Sequence, residues 1–137
     1  MEVTFSTRDD GQVDGRIGTD QPVLQEALDD SISSLPPRGA PGNGPSSYWI
    51  DHAQEGAHQA HERGDECPFT SGNITVLSVR GDMVVAKYDF DKPDVPGDEM
   101  PLNDFLALLE AWKAKVTESA AKATEPLPEK YRRKPFQ

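Results

Sequence analysis

Three histidines and a single cysteine fall close together along the chain: His52, His58, His61 and Cys67. These residue types ligate transition metals and form thiolate–imidazole pairs. His58 and His61 are three apart and share one face of a helix, with Glu62 four residues from His58. A zinc site requires three or four convergent ligands, and the stretch has neither H-E-x-x-H nor C-x-x-C spacing. Cys67 stands beside Asp65 and Glu66, whose negative charge disfavours a thiolate, and Pro68 places it in a turn. The reading is therefore no metal, no cofactor and no catalytic residue. His58, His61 and Cys67 remain the residues around which a metal-binding protein or small enzyme would be built.

The other signals for chemistry are weaker. Gly39, Gly42 and Gly44 lack the Lys-Ser/Thr that completes a phosphate loop. Asp89, Asp91, Asp94, Asp98 and Glu99 form an acidic run, but Pro93 and Pro96 interrupt it and the alternating spacing of a calcium loop is missing. No G-x-S-x-G elbow occurs. Arg80-Gly81-Asp82 reads as a hairpin turn. The chain is thus expected to bind rather than to catalyse.

Charge indicates what it binds. The 137 residues carry a net charge of −10, with 24 acidic against 14 basic residues. From Lys122 onward five basic residues meet two acidic ones, which leaves −13 on the rest. Such a body repels nucleic acid and anionic lipid, and it attracts cationic protein surfaces. The sequence has no run of about 18 apolar residues that could cross a membrane, and its first residues, without a basic start and an apolar stretch, are not expected to act as a signal peptide. A lone cysteine fits a reducing compartment. The expected location is the cytoplasm, with a protein partner that presents a basic surface.

The elements that must position these residues follow from periodicity. Val3 to Ser6 reads as a strand. Residues 9 to 20 are a loop or a second short strand through Val13 or Ile17. Thr19 or Asp20 can cap a first helix with Pro22 in its first turn. Leu24, Ala27, Leu28, Ile32 and Leu35 line one side of it, and Glu26, Asp29 and Asp30 the other. Pro36-Pro37 stops that helix, and residues 36–47 read as a mobile Pro/Gly loop. A second helix runs from about Ser47 to Arg63, with Trp49 in its apolar stripe and Gly64 at its end.

Residues 73–80 and 83–90 form a hairpin about Gly81-Asp82, with Val79 facing Val84 and Leu77 facing Ala86. The hairpin is apolar on both faces, so helices must cover at least one of them. Residues 91–100 read as an acidic loop. Asn103 caps a last helix whose stripe is Phe105, Leu108, Leu109, Trp112 and Val116. The expected fold is α+β: a small, mostly antiparallel sheet with a central hairpin, packed against about three helices. Residues 1–120 form one domain, and residues 121–137 a disordered, basic, Pro-rich tail.

The segment GNITVLSVRGDMVVAKYDF, the acidic loop after it and then MPLNDFLALLEAWKAKV resemble the C-terminal half of small bacterial immunity proteins of polymorphic and contact-dependent toxin systems. The shared features are a strand hairpin opened by Gly-Asn and a final helix of pattern L-x-x-F-L-x-L-L-x-x-W. They cover residues 71 to 117, about a third of the chain. The resemblance implies a one-to-one inhibitor of a secreted toxin domain, commonly a nuclease or deaminase, whose cationic cleft the inhibitor occludes. The contact residues would then be Asp89, Asp91, Asp94, Asp98 and Glu99, with Asp29 and Asp30 second. Tyr48 or Trp49 would be an aromatic anchor, although core packing is the preferred reading for Trp49 and Trp112. Two alternatives stand beside this: an accessory or structural subunit of a bacterial assembly, and the metal protein or enzyme centred on the second helix.

Overall fold

The computed structural model describes residues 3–18, 20–39, 44–92 and 94–123. In chain order the elements are β1 (Thr4–Thr7), β2 (Val13–Arg16), α1 (Pro22–Ser31), α2 (Tyr48–Arg63), β3 (Cys67–Ser71), β4 (Thr75–Arg80), β5 (Met83–Tyr88), β6 (Asp98–Pro101) and α3 (Leu102–Ala123). β1 and β2 pair by themselves, and β3-β4-β5-β6 make a second sheet in sequence order. Every pairing is antiparallel. The fold is α+β, as periodicity predicts.

The central hairpin takes the expected register. Val79 opposes Val84 and Leu77 opposes Ala86. Gly81 has φ +62, a left-handed conformation that disfavours a side chain. Leu77, Val79, Val84, Ala86 and Met100 join one core cluster with Leu24, Leu28, Ile50, Phe105 and Trp112. The helices therefore pack on a single face of the four-stranded sheet. Val76, Met83 and Val85 project from the other face and lie outside that cluster.

Several boundaries differ from the sequence reading. Cys67 and Pro68 lie in edge strand β3, not in a turn. Pro68 fits there because an edge strand need not use every N–H, and the pairing slips between Pro68 and Thr70. Asp98 and Glu99 belong to edge strand β6, not to a loop. α1 stops at Ser31 and Ile32 is already extended, so Leu35 is 54% exposed rather than part of the stripe. α3 starts at Leu102, one residue before the expected cap at Asn103, and continues past residue 120 to Ala123. Of the expected loop at 36–47, residues 40–43 lie outside the described residues, as do residues 124–137 of the expected tail.

The small sheet is secured from a distance. The Trp112 indole donates to the Val13 carbonyl at 2.8 Å. The Ser34 hydroxyl accepts the Val13 N–H at 2.8 Å and donates to Gln12 Oε1 at 2.7 Å. The Ser119 hydroxyl donates to the Gly11 carbonyl at 2.7 Å. These buried polar groups are satisfied across elements, as burial requires.

Candidate functional site

The acidic residues divide into those that build the fold and those that face solvent. Helix α1 has no local side-chain cap: Gln21 occupies the N-cap position and makes no capping bond. Asp98 supplies the acceptor instead. Its Oδ2 takes the N–H groups of Val23 at 2.7 Å and Leu24 at 3.0 Å. Gln21 Nε2 donates to the Glu99 carbonyl at 2.9 Å, which fastens β6 to the same helix end. A carboxylate there also meets the positive pole of the helix dipole.

Asp30, near the other end of α1, organises the β3–β4 turn. Its two oxygens accept the N–H groups of Asn73 and Ile74 at 3.0 Å each, that of Thr75 at 3.2 Å, and the Thr75 hydroxyl at 2.8 Å. Burial pushes its pKa up, but these four donors outweigh burial, and the carboxyl lies below its ordinary range. A side chain at Gly72 would collide with the Asp30 carboxylate, so the turn needs a glycine there. Asp30 and Asp98 are thus occupied by backbone, and both serve as supports for the surface around them.

The remaining candidates are more open. Asp29 is exposed, 3.1 Å from Arg16 and within hydrogen-bond distance of Gln25. Glu99 pairs with Arg80. Asp91 closes a turn: its N–H donates to the Tyr88 carbonyl at 3.1 Å, and its carboxylate accepts the Tyr88 N–H at 3.4 Å. Asp89 and Asp94 are exposed and have no ion pair among the described residues.

This turn brings the loop acids to α1. The Asp89 N–H donates to the Ile74 carbonyl at 2.8 Å, and Ile74 lies on the turn that Asp30 holds. The Tyr88 hydroxyl donates to Glu26 Oε2 at 2.5 Å. Glu26 as hydrogen-bond partner, followed by burial and further negative charge, raises the Tyr88 pKa, so the phenol stays protonated as donor. Phe90 stacks on Tyr88 with ring centroids 5.0 Å apart and planes 9° from parallel. Phe90 is 74% exposed and Ile74 40%. Next to them a depression of about 750 Å³ is lined by Arg16, Ile17, Pro22, Glu26, Asp29 and Ile74, among others. The result is an apolar, partly aromatic patch bordered by carboxylates.

Sequence reading missed Glu26, Ile74, Tyr88 and Phe90 as site residues. One signal was available: a phenylalanine between two aspartates, just past the end of an alternating strand, has no core to enter. Of the proposed anchors, Tyr48 is 48% exposed. Trp49 corrects the expectation of core packing: it is half-buried, lies outside the core, and meets the Tyr48 ring edge-on at 4.9 Å. Trp112 is buried, as expected.

The histidines do not converge. His61 Nε2 lies 3.0 Å from Asp82, His58 is exposed, and Cys67 Sγ is 3.9 Å from Arg63. His52, not His58 or His61, lines the groove of about 320 Å³ that Cys67 also borders. Among the described residues no three His, Cys, Asp or Glu side chains group as metal ligands. No helix among them is long and apolar enough to cross a membrane.

In comparisons with known proteins, the chain matches no family model, no curated protein and no solved structure.

Proposed function

We propose that the protein is an immunity-type inhibitor that neutralises a cationic toxin domain, a nuclease or deaminase, by covering its cleft in the cytoplasm. The observation that carries this reading is exposed Phe90 and Ile74 with exposed Asp29 and Asp89 and half-buried Glu26 and Asp91 beside them. Carboxylates steer a basic partner into encounter, and an exposed aromatic supplies the anchor in which binding energy concentrates. Asp30 and Asp98 act indirectly, by holding the turn and the helix that present the group. The net charge of −10 acts in the same direction over longer range.

The test is affinity capture from the native organism at low and moderate salt, with mass spectrometry of the retained proteins. The reading expects one basic toxin domain whose retention falls as salt screens the charges, and loss of toxin activity on mixing. Capture of a salt-insensitive partner, or of none, rejects it.

The open face of the four-stranded sheet favours a second reading, an accessory subunit of a larger assembly. Val76 and Met83 lie there partly exposed and outside the core cluster, although Val85 on the same face is buried. A partner seated on that face is held by apolar contact, and salt leaves its retention unchanged.

A further inference from the structure

We infer that the stacked pair Tyr88–Phe90, with Glu26 beside it, is a receptor for an arginine side chain presented by a protein partner. The inference deepens the inhibitor reading by naming the group that the acidic face recognises. It rests on that reading only for the identity of the protein that carries the arginine.

A guanidinium is planar and weakly hydrated. It lies flat on an aromatic ring while its N–H groups reach carboxylates at the ring's edge. A lysine ammonium is a compact, strongly hydrated charge that gains less from the ring. The surface offers both halves of that chemistry. Tyr88 covers one face of the Phe90 ring at 5.0 Å, and 74% exposure leaves the other face to solvent. Asp89 and Asp91 flank Phe90 in the chain, and Glu26 holds the Tyr88 hydroxyl.

The pair is also fixed before any partner arrives. The Tyr88 hydroxyl is tied to α1 through Glu26 at 2.5 Å. The Asp91 N–H to Tyr88 carbonyl bond closes the turn that carries Phe90. The Asp89 N–H to Ile74 carbonyl bond joins that turn to the β3–β4 turn. A rigid aromatic platform loses little conformational freedom on binding. The adjoining depression, whose lining includes Ile17, Pro22 and Ile74, suits the aliphatic stem of such a side chain or its neighbour in the partner.

The test compares fluorescently labelled nona-arginine and nona-lysine peptides, titrated with the full chain and read by anisotropy at two salt concentrations. Charge is equal in the two probes, so non-directional attraction to the acidic surface binds them equally, and the Phe90 variants separate ring stacking from carboxylate pairing. The receptor predicts that nona-arginine binds about fivefold tighter, a ratio within the range of one exposed cation–π contact. Phe90→Leu keeps an apolar side chain at an exposed position and should abolish the preference while leaving the weaker, salt-dependent attraction. Phe90→Trp should retain it. Equal affinities for the two peptides, no binding of either, or a preference that survives Phe90→Leu overturns the assignment. An arginine preference in a protein that captures no toxin leaves the receptor standing and removes the inhibitor reading, so the two failures are distinguishable.

Discussion

The Asp98 carboxylate lies 2.7 Å from the Val23 backbone nitrogen, so the last strand of the sheet caps the first helix of the chain. The two residues are 75 positions apart. The cap is therefore a tertiary contact that performs a job usually done by the residue next to the helix.

Asp98→Ala should lower stability by about 1–2 kcal/mol, the usual cost of losing an N-cap acceptor. Asp20→Ala, next to the helix in sequence but exposed, should stay within roughly 0.5 kcal/mol of the parent. Chemical denaturation of the two variants checks both values. A larger loss from Asp20→Ala would locate the cap where the sequence pattern first suggested it.

Asp30 predicts a pH dependence. Its carboxyl titrates below its ordinary range in the folded chain. The stabilisation is thus fully present above the unfolded pKa of about 3.9 and is lost as pH falls through the lower folded value. Asp30→Asn should cost about 1–2 kcal/mol at neutral pH, because four exposed or partly buried donors lose a charged acceptor. It should also flatten the decline of stability below about pH 4. Gly72→Ala disturbs the same turn by pressing on Asp30, so the double variant should lose less than the two single losses combined. Denaturation curves from pH 2 to 7 give all three readings.

Tyr88 predicts a spectroscopic signature. The chain has three tyrosines, and the Glu26 hydrogen bond raises the pKa of Tyr88. Absorbance titration of phenolate should show a late phase above the ordinary tyrosine range. Tyr88→Phe should remove that phase, and Glu26→Gln should move it down. The Tyr88–Glu26 link, complete below the unfolded pKa near 10, is lost as pH rises through the higher folded value.

The two tryptophans should behave differently. Trp112→Phe removes the indole N–H that the buried Val13 carbonyl accepts and should cost about 1–3 kcal/mol. Trp49→Phe, at a half-buried position outside the core, should cost well under about 1 kcal/mol. Thermal melts of both variants decide the ranking.

Much of this fold is legible in the amino-acid pattern. The stripe Phe105, Leu108, Leu109, Trp112 and Val116 and the turn at Gly81-Asp82 each carry a strong local signal, and both elements form where that signal puts them. What escapes is non-local. β3 contains Pro68 and a register shift, which hide its alternation. β6 is four residues long and exists because β5 offers a free edge. Asp98 and Asp30 look like any other surface acid until the chain folds, since their donors lie more than 40 residues away. The candidate site was legible only as a region: the acidic loop and the end of α1 were marked, but the aromatic pair joining them depends on a hydrogen bond between residues 26 and 88.

The bond from the Ser119 hydroxyl to the Gly11 carbonyl spans 108 residues, and the Trp112 bond to Val13 spans 99. During translation, β1 and β2 leave the ribosome long before their partners on α3 exist. A two-stranded ribbon is marginal by itself, so these two strands, made before α3, are secured only after it. Until α3 emerges, the nascent chain exposes the hairpin's apolar side, and in that interval it is open to chaperones and proteases.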